Sequence, residues 1–159
     1  MTYFLIHNGT LIDGTGKPPV NDAAILIRDD VIEYVGPEDP LKLPGVKIRK
    51  VDADGGFLLP GFIDSHLHLM ANGFHMEDTM YNPLSLFFYK GVENMRRTVN
   101  AGVTTVRDGG LADYGVKMAV EKGLITGPRM QISVTPLSIT GGHFDFWLKS
   151  GFDMKISYP

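Results

Sequence analysis

His66 and His68 are separated by one residue and close the run Pro60-Gly61-Phe62-Ile63-Asp64-Ser65-His66-Leu67-His68. The apolar start of that run reads as a buried strand. On a strand, residues i and i+2 project from the same face, so the two imidazoles leave the strand's end side by side. Two such imidazoles can grip one divalent ion of borderline softness, with zinc the preferred choice. They make half a site, because a catalytic zinc takes three protein ligands and a water. The chain has no cysteine, which excludes disulfides, thiolate ligation and a cysteine nucleophile. Any metal must be held by imidazole, carboxylate or a modified lysine.

Other residues could serve the same chemistry. Asp64 lies two residues before His66. It reads either as a carboxylate that orients the histidines or as a local cap or turn residue. Arg107 and Asp108 end a second β-branched run. Arg107 suits bidentate capture of a substrate carboxylate. The competing reading pairs it with Asp108 to tie neighbouring loops. His143 stands in Thr140-Gly141-Gly142-His143-Phe144-Asp145, where glycines free the backbone to bring it over a pocket and onto substrate. The plainer alternative is a loop histidine without a chemical role. Phe144, Phe146 and Trp147 read as core or lid packing, and His75, among Met70, Met76 and Met80, as a surface histidine in a soft loop, with a lid as the alternative. His7 receives no role. Asp29-Asp30 reads as a hairpin turn rather than a carboxylate dyad. Gly14-Thr15-Gly16-Lys17 lacks the spacing and the helix of a phosphate loop.

The elements that must position these residues fall into two regimes, 1–59 and 60–159. The first reads as short strands and turns, hence a small all-β unit. Its strands are Phe4 to Ile6, Thr10 to Ile12, Ala23 to Arg28, Val31 to Val35, Val46 to Val51 and Phe57 to Leu59, with Asn8-Gly9 as a hairpin turn. The second alternates strand and helix: Phe62 to Ser65, Leu84 to Ala101, Val103 to Arg107, Ala112 to Lys122 and Arg129 to Val134. Gly102 and Gly123 stop the helices. That alternation predicts a parallel sheet with right-handed crossovers, an α/β class.

Composition narrows the function classes. The 159 residues suffice for a sizeable core, and 43% hydrophobic with 21% charged content is globular rather than disordered. A net charge of −3 offers no basic footprint for nucleic acid. No apolar stretch approaches the roughly 20 residues of a membrane span, and the N-terminus lacks a basic leader. The expectation is a cytoplasmic protein that partners neither nucleic acid nor membrane.

The series of motifs resembles the amidohydrolase superfamily, in its imidazolonepropionase and prolidase-like branch. Pro60 to His68 is similar to that family's first barrel strand. Asn8-Gly9-Thr10-Leu11-Ile12-Asp13-Gly14 resembles its N-terminal hairpin. Gly102 to Gly110 resembles its second strand. Gly127-Pro128-Arg129 with Thr140-Gly141-Gly142-His143 resembles the third strand and its loop. The resemblance implies a small β-sandwich portion followed by the first strands and helices of a metal-dependent (β/α)8 TIM-like barrel. It implies hydrolysis of an amide C–N bond in a dipeptide, an N-acyl amino acid or a cyclic amide, with one or two ions, zinc preferred. Within such a barrel His66 and His68 are read as metal ligands, His143 and Arg107 as substrate contacts, and Asp64 and Asp108 as orienting carboxylates.

A barrel takes about 250 residues, whereas only about a hundred follow Pro60. The family's bridging carboxylated lysine, two further histidines and catalytic aspartate have no matching position here. The expectation is therefore the N-terminal part of an enzyme with no catalytic residue of its own. The alternatives are an inactive stand-alone fragment, or one half of a split enzyme completed by a complementary C-terminal chain. A homo-oligomer stays open.

Overall fold

The computed structural model describes residues 2–71, 73 and 81–145. His75, Met76, Met80, Phe146 and Trp147 lie outside the described residues. The chain divides into two compact units, Met1–Pro60 and Gly61–Pro159.

The first unit holds β1 (Tyr3–Leu11), β2 (Val20–Arg28), β3 (Val31–Pro37), β4 (Ile48–Asp52) and β5 (Phe57–Leu58) in one sheet. The order is β3-β2-β1-β4, and β5 continues beside β1 beyond β4. The β1–β2 and β2–β3 pairs are antiparallel, whereas β4 and β5 run parallel to β1. The expected sandwich portion is thus a single layer within this unit. Both faces carry apolar side chains, as the period of two allows. Leu5, Ala24 and Leu26 cluster on one, with Tyr34 and Leu41 packed against them. Leu11, Ala23 and Leu58 cluster with Ile6 and Ile25 on the other.

Asn8-Gly9 corrects the hairpin expectation. β1 runs straight through it, and the β1–β2 register slips between Ile6 and Gly9. Asn8 takes φ 57°, a left-handed conformation that asparagine tolerates, so the dipeptide forms a bulge. Its Nδ2 donates to Asp52 Oδ1 at 2.7 Å, and its carbonyl accepts from Gly55 N–H at 2.8 Å. A Cβ on Gly9 would stand 2.7 Å from Leu58 Cγ, so the close approach of β5 requires glycine. The bulge lets one strand hand over from β4 to β5, which a turn would have prevented.

The second unit is strand–helix–strand–helix–strand: β6 (Phe62–Leu67), α1 (Leu84–Asn100), β7 (Val103–Asp108), α2 (Tyr114–Glu121) and β8 (Arg129–Ile132). The strands lie in the order β6-β7-β8, all parallel. In α1, Phe88, Val92 and Met95 recur at i, i+4 and i+7, the period of an apolar stripe facing a core. They pack with Leu69, Met70, Val106, Ala112, Val116 and Met130. Gly91 admits the loop after β6, since a Cβ there would sit 2.4 Å from the sulfur of buried Met70. The Gly102 stop holds, at φ 87°, and its carbonyl then accepts from Phe62 N–H at 2.9 Å. The α2 helix begins at Tyr114 rather than Ala112, because Asp113 caps it: Oδ1 accepts from Val116 N–H at 2.8 Å.

Candidate metal centre

The end of β6 departs from plain alternation. Asp64 pairs with Val106 and Leu67 with Asp108, so β6 carries one residue more than β7 across that stretch. Asp64 Oδ1 accepts the His66 backbone N–H at 3.0 Å, a local bond across the bulge. The two imidazoles nevertheless stay together. Their centroids are 5.3 Å apart and their planes cross at 88°. With metal–nitrogen bonds of about 2.1 Å and tetrahedral angles, two imidazoles sharing an ion have centroids about 5 Å apart. The 5.3 Å ring spacing fits that geometry. Among the described residues, no cluster of three or more histidine, aspartate or glutamate side chains could hold a metal.

The exit of β7 supports the pair from below. A Cβ built on Gly109 would lie 3.0 Å from His66 Cε1 and 3.1 Å from His68 Cε1, so both rings rest against a bare backbone. His68 Nδ1 lies 3.2 Å from the Gly110 carbonyl oxygen. A carbonyl only accepts, so this bond needs the proton on Nδ1 and puts the lone pair on Nε2, the nitrogen a metal would take.

Asp108 is 1% exposed. Its Oδ2 accepts from Leu69 N–H at 2.8 Å, and Oδ1 from Gly110 N–H at 2.8 Å and Ala112 N–H at 3.5 Å. One carboxylate thus joins the loop leaving β6 to the loop leaving β7. Asn94 of α1 adds a second tie, its Nδ2 donating to the Leu69 and Ala71 carbonyls at 3.0 and 3.1 Å.

Arg107, exposed on β7, points away from the buried face of Val106 and Asp108. It forms no ion pair with Asp108, whose oxygens are committed to backbone donors. The tie between neighbouring loops exists, but it runs from carboxylate to peptide N–H rather than to guanidinium. His143 lies in the loop after β8. Its ring stacks edge-on with Phe144 at 4.8 Å, and Phe144 in turn lies 5.9 Å from the His68 ring. Gly141, at φ 77°, donates its N–H to Asp145 Oδ2 at 2.6 Å and closes this loop on itself. His66, His68 and the loop bearing His143 therefore meet, with Phe144 as the link.

The contributions of Gly109, Gly110 and Asn94 were not legible in the sequence, and Phe144, read as core or lid packing, also links the His68 and His143 rings. The Asp108-Gly109-Gly110 triplet was legible as a strand stop, though its contact with residues forty positions earlier was not. Asn94, a polar residue on a helix otherwise apolar on its inner side, was the available signal for the second tie.

The profile of the Amidohydrolase family matches residues 57–156. Ochratoxinase from Aspergillus niger is 30% identical over 164 aligned positions, covering 97% of this chain and 32% of its own. Imidazolonepropionase from Salinispora arenicola is 38% identical over 79 positions, covering 46% of this chain and 19% of its own. A solved prolidase complexed with N-methylphosphonate-L-proline shares 32% identity at a TM-score of 0.79, over 91% of this chain and 35% of its own. Three parallel strands joined by helices make the second unit an α/β fold. The chain belongs to the amidohydrolase family. It spans about a third of the length of ochratoxinase and of the prolidase. Among the described residues, no helix is long and apolar enough to cross a membrane.

Proposed function

We propose that this chain is the N-terminal part of a metal-dependent amidohydrolase that hydrolyses an amide C–N bond with metal-activated water. The observation that carries the reading is the spacing of His66 and His68 at the end of the first of three parallel strands. In barrel enzymes the strand ends of that polarity form the active face, so β6, β7 and β8 are proposed as the first three strands of a (β/α)8 barrel. A divalent ion held there, zinc by the character of two imidazoles, would lower the pKa of a bound water toward neutrality and polarise a carbonyl.

The roles of this chain's residues follow from their places. His66 and His68 would hold the ion, His68 through Nε2 because Gly110 occupies its Nδ1 proton. His143, brought near by Phe144, would line the pocket and bond the substrate. Arg107, exposed beside the strand end, would take a substrate carboxylate. Asp64 and Asp108 would orient backbone rather than touch substrate. The substrate class, a dipeptide, an N-acyl amino acid or a cyclic amide, rests on likeness to prolidase, ochratoxinase and imidazolonepropionase.

A second reading is an inactive fragment, or half of an enzyme completed by another chain. The observation that favours it is that the chain spans about a third of the length of ochratoxinase and of the prolidase. One experiment separates the cases. Zinc-loaded protein is assayed on Xaa-Pro dipeptides and N-acyl amino acids, both as these 159 residues and with the reading frame carried past Pro159. The expected result is no turnover by the short form, turnover by the extended one, and its loss in His66→Ala with His68→Ala. Undiminished turnover in that double variant refutes the assignment.

A further inference from the structure

We infer that the Asp108-Gly109-Gly110 turn is the positioning element of the histidine pair, setting the spacing of its rings and the proton-bearing nitrogen of His68. The inference rests on the reading of His66 and His68 as metal ligands, and it adds residues from a different strand to that site. Gly109 meets both rings at once: a methyl there would stand 3.0 Å from His66 Cε1, 3.1 Å from His68 Cε1 and 3.5 Å from His66 Nδ1. Gly109 is not among the glycines with left-handed φ. Its bareness therefore serves the rings rather than the backbone conformation.

Gly110 is bare for another reason. Its φ is 138°, and a Cβ would lie 2.3 Å from Pro136 Cγ, so no side chain fits. That packing fixes the carbonyl that accepts from His68 Nδ1 at 3.2 Å. The Gly110 N–H is tied to Asp108 Oδ1, the Leu69 N–H to Asp108 Oδ2, and the Gly109 N–H to the Leu67 carbonyl at 2.8 Å. His68 lies between two of these anchors, Leu67 and Leu69. The turn thus grips the histidine segment on both sides while it presents one carbonyl to the ring. Neutral histidine in water carries its proton mostly on Nε2, the arrangement that would block that nitrogen from a metal. The turn holds the opposite tautomer in place before any ion arrives.

The test uses the 159-residue chain with 15N-labelled histidine, zinc titration by calorimetry, and long-range 1H–15N spectra of the rings. Without metal, His68 is expected as the Nδ1–H tautomer. Gly109→Ala is expected to keep the backbone amide fingerprint, shift both histidine ring signals and weaken zinc about tenfold or more, the scale for lost support around a metal ligand. Asp108→Asn is expected to move His68 toward Nε2–H and to weaken zinc similarly, while Glu93→Gln on the α1 surface changes neither. Zinc affinity of Gly109→Ala equal to wild type, or an Nε2–H tautomer in the wild type, overturns the inference. A wild type that takes no zinc but shows the Nδ1–H tautomer refutes the metal reading and leaves the turn's hold on His68 standing.

Discussion

Replacing Asp108 by alanine removes the acceptor for three buried backbone N–H groups at once. Leu69 and Gly110 donate at 2.8 Å, and Ala112 at the marginal distance of 3.5 Å. Asp108 is 1% exposed and Ala112 0%, so solvent does not reach the vacated positions without opening the loops. Each buried donor left unsatisfied costs about 1–3 kcal/mol. Counting the two strong bonds fully and the third little, the loss is about 3–5 kcal/mol. That is a large part of the roughly 5–15 kcal/mol that holds a domain together. Asp108→Asn keeps one carbonyl oxygen but turns an NH2 toward a backbone N–H, so about half the cost is expected. Urea unfolding followed by far-UV circular dichroism measures both. For a slope of about 2 kcal/mol per molar, the alanine variant's midpoint falls by about 2 M and the asparagine variant's by about 1 M. A shift of under about 0.5 M for alanine would show that Asp108 joins nothing of consequence.

Gly61→Ala is expected to destabilise the second unit strongly, because the new Cβ would meet Thr104 at 2.1 Å from Oγ1 and 2.8 Å from Cβ, with no rotamer that clears both. Thermal unfolding checks it, and an unchanged midpoint contradicts the close packing of β6 on β7. Glu93 on α1 is held down to about 2, first by hydrogen bonds from Arg96 and then from Arg97. A depressed carboxyl contributes stability above its ordinary value of 4.5 and loses it as pH falls toward about 2. The group is exposed, so the contribution is small. Its titration should still be visible by carboxyl 13C NMR, with a midpoint far below 4.5 in wild type and near 4.5 once Arg96 and Arg97 are both replaced by glutamine.

Much of the second unit was legible because its signals are local. The β-branched run from Val103 to Val106 makes a strand, the apolar stripe of α1 makes a helix, and Gly102 and Gly123 end helices by a conformation that glycine adopts freely. The rings of His66 and His68 lie together as their spacing implies, although β6 departs from plain alternation there. Signals failed where one residue type serves two purposes. Asn8-Gly9 suits a hairpin turn and a bulge equally, and only the parallel partners β4 and β5 decide between them. Asp64 lies two residues from His66 on paper, but the extra residue in β6 interrupts that period. Asp108 looked like a partner for Arg107, its neighbour in sequence. Its real partners are peptide groups of Leu69 and Gly110, and a backbone donor leaves no trace in residue type. The same holds for Gly109, whose role is the space it leaves for two rings.

His66 and His68 are proposed to share one ion, and zinc-edge X-ray absorption of the zinc-loaded 159-residue chain reads that ion's ligands. Two imidazole nitrogens at about 2.0–2.1 Å with their ring scattering are expected, with loss of both in His66→Ala with His68→Ala. Zinc bound through oxygen alone in the wild type, or the same imidazole signal in the double variant, contradicts it.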